Sequence, residues 1–108
     1  DTPWPKVRRT AAALRRWCAA GEIALDALAD LLADRTIAPD DELPSTGVPL
    51  EWERRLSAPF IVGADYGTRC STIFAIDDGG NLQFVERSFA ADGSPGGEVR
   101  EAFRLRGR

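Results

Sequence analysis

The chain has 108 residues, of which 44% are hydrophobic and 29% charged, with a formal net charge of −3. That length suffices for one domain with a modest core, and the mild acidity gives no global attraction to nucleic acid or to an anionic membrane. Histidine is absent, and the two cysteines, Cys18 and Cys70, are too far apart for a metal-ligand pair. A structural zinc site and histidine-based acid–base catalysis are therefore not expected. No stretch reads as a membrane span or a signal peptide. The cysteines are expected to be small buried hydrophobes in a reducing compartment, which points to a cytoplasmic location.

In chain order, Asp1 or Thr2 can cap a first helix, with Pro3 or Pro5 in its first turn. Val7, Ala11, Leu14 and Cys18 recur at helical spacing as its apolar stripe, Trp17 lies beside them, and Gly21 is a good stop. A second helix is predicted over 22–34, with Ala24, Leu25, Leu28, Leu31 and Leu32 on its apolar side. Asp26, Asp30 and Asp34 form an acidic edge, either solvated or facing the basic side of the first helix. The segment 35–49 holds prolines, an Asp40-Asp41-Glu42 cluster and Gly47, and reads as a long loop. Leu50 to Ser57 allows a short helical turn carrying Trp52 and Leu56.

From Phe60 onward the pattern changes from helical to extended. Phe60-Ile61-Val62 is a short apolar run, and a strand is predicted over 69–77. Asp78-Gly79-Gly80-Asn81 forms a hairpin turn, and the return strand covers 82–89. A second turn over 91–97 leads to a third strand over 98–105. The chain thus reads as one α+β domain over 1–108. A helical hairpin occupies 1–34, a loop 35–59, and an antiparallel β-meander 60–108. In the first strand Phe74 and Ile76 point one way and Ile73 and Ala75 the other, so both faces look apolar and both are expected to be covered. Three or four strands and two helices cover only one face. A second layer is therefore expected from a missing N-terminal part of the same protein or from a second subunit, as in a homodimer.

The densest chemistry lies in Asp65-Tyr66-Gly67-Thr68-Arg69-Cys70-Ser71-Thr72, at the mouth of the first strand. Polar groups at the entry of an apolar strand need partners or line a wet cavity. Tyr66, Thr68, Arg69 and Ser71 are the ligand-pocket candidates. Arg69 is a permanently charged planar donor suited to a carboxylate or an oxyanion. Its structural alternative is to pair with Asp65 or Asp77 and pin the strand mouth. Tyr66 either offers its hydroxyl to a ligand or packs its ring. Glu86 and Arg87 read as a cross-strand ion pair, and Trp4, Trp17 and Trp52 as core or interface anchors. The sequence suggests no metal site and no catalytic residue within the chain.

Asp1-Thr2-Pro3-Trp4-Pro5-Lys6-Val7, the Asp65–Thr72 block, Val85-Glu86-Arg87-Ser88-Phe89 and Gly97-Glu98-Val99-Arg100 together resemble the NRDE family, which includes transport and Golgi organisation protein 2. The resemblance implies an N-terminal-nucleophile-hydrolase-like αββα sandwich, of which this chain would be the C-terminal part. The family's Asn-Arg-Asp-Glu motif and its early cysteine match no position here, and neither Cys18 nor Cys70 corresponds to that cysteine. It further implies handling of a small apolar or amphiphilic ligand, haem or a lipid, with no catalysis by this chain alone. The alternatives are part of an amidohydrolase whose nucleophile lies in the missing N-terminal part, and a scaffold that mediates dimerisation.

Overall fold

The computed structural model describes residues 4–21 and 24–106. Three helices precede one three-stranded antiparallel sheet, an α+β arrangement. They are α1 (Pro5–Ala20), α2 (Leu25–Leu32) and α3 (Leu50–Leu56), with a single 3₁₀ turn at Asp40–Glu42 between α2 and α3. The strands are β1 (Cys70–Ile76), β2 (Asn81–Phe89) and β3 (Pro95–Arg104), in the spatial order β1-β2-β3.

Pro5 opens α1, where a missing N–H costs nothing. Trp4 is the cap residue and offers no side-chain bond; Asp1 and Thr2, the expected caps, lie outside the described residues. Gly21 ends the helix in the left-handed region, at φ 71°. The inward face of α1 is not the expected stripe. Of that stripe Ala11 is half-buried but Val7, Leu14 and Cys18 are exposed, whereas Thr10, Ala13 and Trp17 are half-buried. Two ion pairs accompany this orientation: Arg9 reaches Asp34 at 2.8 Å and Arg8 reaches Glu42 at 3.6 Å. Trp17 donates its indole N–H to the Ala24 carbonyl at 3.2 Å, tying α1 to the start of α2. The second helix is shorter than expected, and Glu22 and Ile23 lie outside the described residues.

The acidic edge of α2 divides. Asp34 faces the basic side of α1, while Asp26 turns to the sheet, 3.0 Å from Arg87 and 2.6 Å from Arg100. The expected loop over 35–59 is more structured than a bare connection. Glu53, buried on α3, accepts the Thr46 N–H at 2.8 Å and the Thr46 hydroxyl at 2.6 Å. Ser57, also buried, accepts the Ala38 N–H at 2.9 Å and donates to the Arg54 carbonyl at 2.6 Å. The Ser57 bond satisfies the buried Ala38 N–H, and the Glu53 bonds brace the exposed Thr46.

In the sheet, Ile73 pairs with Val85 and Phe74 with Phe84, and β2 continues the register so that Leu82 faces Phe103 and Val85 faces Arg100. Asp77 fixes the first turn by accepting the N–H groups of Gly79 and Asn81, both at 2.9 Å. In the second turn Asp92 does the same for Ser94, and Gly93 supplies φ 84°. The third strand begins at Pro95, earlier than expected. Phe60-Ile61-Val62 forms no strand, because Ile61 bonds Thr68 across a local loop instead of joining the ladder.

The buried apolar residues are Ala29, Ala38, Ala58, Phe60, Leu82 and Val85. Only one face of β1 is covered. Ser71, Ile73 and Ala75 are half-buried beneath α2, while Phe74 on the opposite face is 59% exposed. The expectation that both faces would be shielded is therefore not met among the described residues, where the layer packed on the sheet is helical and lies on one side. Cys18 and Cys70 are likewise exposed rather than buried: one lies on the outward stripe of α1, the other on the open face of β1. The radius of gyration is 16.2 Å, against roughly 13 Å for a compact chain of about 100 residues. A one-sided sheet with a thin core gives that extended shape.

Candidate functional site

The candidate residues sit on a tight loop that leads into β1. Thr68 closes it twice: its N–H donates to the Ile61 carbonyl at 2.8 Å, and its hydroxyl accepts the Ile61 N–H at 3.0 Å. Thr68 thus spends its polar groups on the backbone. Two glycines allow the loop its tightness. A Cβ on Gly63 would collide with the Arg55 guanidinium and sit 2.5 Å from the Tyr66 carbonyl oxygen, and one on Gly67 would lie 2.7 Å from the Ile61 carbonyl oxygen.

Arg69 donates a long bond, 3.4 Å, to the Gly63 carbonyl. It pairs with neither expected carboxylate. Asp65 is held by Arg55 at 2.8 Å, and Asp77 is spent on the first turn. Among the described residues Arg69 has no ion-pair partner. Arg55 also reaches Gly63, so two guanidinium groups flank one glycine. Arg55 stacks on Trp52 at 4.4 Å, and Tyr66 sets its ring edge against Trp52 at 5.9 Å. Tyr66 is half exposed, with its ring packed on one side. The hydrogen bond from Arg55 holds the Asp65 carboxyl below its ordinary value, and the same bond raises Arg55.

Tyr66 and Arg69 are therefore brought to one loop, Thr68 braces it, and Ser71 lies beyond it on the covered face of β1 opposite Arg87. Glu86 and Arg87 do not pair with each other. Adjacent on one strand, they point to opposite faces. Glu86 accepts the Thr72 hydroxyl at 3.0 Å, and Arg87 bonds Glu98 at 2.9 Å. The three tryptophans are half-buried.

Sequence reasoning missed Arg35. It donates to the Gly93 carbonyl at 2.8 Å, and its guanidinium lies 4.9 Å from the centre of the Phe60 ring. Phe60 in turn meets Phe89 edge-to-face at 4.7 Å. Nothing near position 35 in the sequence signals contacts with residues so far along the chain.

Chemically, the loop can hold an anion or a polar head. Among the described residues no cluster of three or more histidines, cysteines or carboxylates could hold a metal ion. No helix of those residues is long and apolar enough to cross a membrane.

The architecture defines the class first: an α+β unit whose sheet is covered on one side and whose loop before β1 gathers arginines and aromatics. The chain belongs to the Transport and Golgi organisation 2 family, whose model matches residues 1–91. The match spans all three helices, the candidate loop, β1 and β2, and stops before β3. Among curated proteins none matches the chain.

Proposed function

We propose that this chain is the C-terminal portion of a Transport and Golgi organisation 2-like protein that handles a small apolar or amphiphilic ligand, haem or a lipid, and that it catalyses nothing by itself. The open face of the sheet carries this reading. Phe74, Ile76, Val99 and Phe103 share that face and are all exposed, Phe103 by 55%. On it Phe84 and Leu82 join Phe74, Ile76 and Phe103, with Glu86 and Glu101 beside Val99, and an exposed apolar patch rimmed by charge suits a binding surface. Haem, as cargo, would find no histidine here, so its iron would depend on Tyr66, an exposed cysteine or residues outside the chain. A cytoplasmic, reducing setting fits the two exposed thiols. Titrating the full-length protein with haem and with acyl ligands is the test. Saturable binding that weakens when Phe74→Asp and Phe103→Asp are introduced is expected, and no saturable binding of either ligand removes the reading.

The same bare face favours a second reading, an N-terminal-nucleophile amidohydrolase with an αββα sandwich. There a second sheet, from a preceding part of the protein or from another subunit, would cover Phe74 and Phe103. The nucleophile and its free α-amine would come from outside this sequence. Hydrolysis of N-acyl substrates by the full-length protein, lost when its first cysteine is replaced, is the expected result. Activity that survives that replacement rejects the mechanism.

A further inference from the structure

A second surface feature lies away from the open sheet face. Ala58 and Phe60, both buried, form the floor of a cleft of about 270 Å³. Val62 and Ile37 form its apolar rim, 41% and 54% exposed, and Arg35 and Arg55 complete the lining. The lining therefore holds two cations and no carboxylate, in a chain with more acidic than basic residues. Arg55 is paired from outside the lining with Asp65 at 2.8 Å, and the arginines of two other clefts are paired as well. Beside α1, Arg8 and Arg9 pair with Glu42 and Asp34; at the β2–β3 irregularity, Arg87 pairs with Glu98.

Both arginines of the cleft are held in place with donors to spare. Arg35 is positioned by the Gly93 carbonyl at 2.8 Å and by the Phe60 face at 4.9 Å. Gly93 permits that approach, since a Cβ there would lie 3.0 Å from an Arg35 guanidinium nitrogen. The nearby Asp92 carboxylate accepts the Ser94 N–H at 2.9 Å and hydroxyl at 2.6 Å on one oxygen, and those bonds, with the Arg35 charge after them, hold its carboxyl below the ordinary value. Arg55 gives one N–H to Asp65 and sits over the Trp52 ring, 4.4 Å from its centre. Each keeps further N–H groups that no described residue accepts. Planar guanidinium forks over an apolar floor match an oxyanion attached to an apolar body. The volume is just below the ~300–1,000 Å³ of clefts that enclose whole drug-sized ligands. It suits a head and its first methylenes, with the rest of a chain lying over Val62 and Ile37.

We propose that this cleft binds the carboxylate or phosphate head of an anionic amphiphile, with Arg35 and Arg55 as the head-group ligands. The ligand class rests on the reading above; the location does not depend on the sheet face. The test is calorimetric titration of the full-length protein with decanoate, decyl phosphate and decanol. At least one of the two anions is expected to bind about tenfold or more tighter than the alcohol, and the tighter of the two identifies the head. Arg35→Gln should erase most of that preference and leave decanol affinity unchanged, and Arg35→Lys should restore part of it. On the unmodified protein, the anion should shift the amide resonances of Phe60 and Val62, which keeps the test decisive if a variant does not fold. Equal affinity for alcohol and anions, or shifts confined to Phe74 and Phe103, overturns the proposal and leaves the amphiphile reading standing. Absence of binding by all three probes overturns the proposal, while the haem titration decides the reading above separately.

Discussion

Replacing Phe60 by alanine is the sharpest test of how this thin core is held together. Phe60 is 1% exposed, its ring meets Phe89 at 4.7 Å and an interplanar angle of 87°, and Arg35 covers its other side. A fully buried phenylalanine truncated to alanine costs about 3–5 kcal/mol, of which the edge-to-face pair accounts for ~0.5–1.5 kcal/mol. A domain of this size has roughly 5–15 kcal/mol in total, and among the described residues the buried apolar ones include three alanines, which offer little to compensate. Urea unfolding followed by tryptophan fluorescence measures the loss. With a slope of ~1–3 kcal/mol per molar, a 4 kcal/mol loss moves the midpoint by about 1.5–4 M. Phe60→Leu should cost ~1–1.5 kcal/mol, since volume is nearly kept and the ring pair is lost. A cycle with Phe89→Leu should return a coupling of ~0.5–1.5 kcal/mol. A loss under about 1 kcal/mol for Phe60→Ala would refute the claim that this ring centres the packing between helices and sheet.

Ser57→Ala should cost ~1–3 kcal/mol in the same assay, because the buried Ala38 N–H loses its acceptor. Gly63→Ala should cost ~1–3 kcal/mol by driving Arg55 and the Tyr66 carbonyl apart; Gly97→Ala, with open space around it, should stay within ~0.5 kcal/mol. Asp26 and Glu98 should titrate below their ordinary values of 3.8 and 4.5, chiefly because Arg100 hydrogen-bonds both. Their contribution to stability is therefore present above those values and is lost as pH falls through the depressed ones. In Arg100→Gln, side-chain NMR should show both midpoints moving back up, and molar salt should narrow the difference from the parent; unmoved midpoints would show that the bonds do not form in solution.

Local chemistry made much of the fold legible. Gly21 had to end the first helix because it alone there takes φ 71° without strain, and the glycines and aspartates at 77–80 and 92–93 announced the two turns. What stayed hidden depends on long-range pairing. The orientation of α1 brings Arg8 and Arg9 to Glu42 and Asp34, partners separated from them by a whole helix and more. The apolar spacing of Val7, Leu14 and Cys18 carries no trace of those contacts. Likewise, alternation in β1 states that both faces are apolar but not which one receives a helix. At the loop, the sequence pointed to Tyr66 and Arg69. It offered Arg69 either Asp65, which Arg55 holds, or Asp77, which the first turn holds, and it gave no hint of Arg35.

The spatial order of the strands leaves β1 and β3 each with one backbone flank that no described strand occupies. The two borders differ in chemistry. Along β3, Glu98, Arg100, Glu101 and Arg104 set charges at short intervals, and charge on a free border discourages lateral pairing. Along β1, seven consecutive residues, Cys-Ser-Thr-Ile-Phe-Ala-Ile, carry neither charge nor proline. That composition is the signature of a segment that stacks on copies of itself. Whenever this border is left bare at high concentration, self-association should begin at β1 rather than β3, and a lysine at Thr72 would be the smallest change that blocks it.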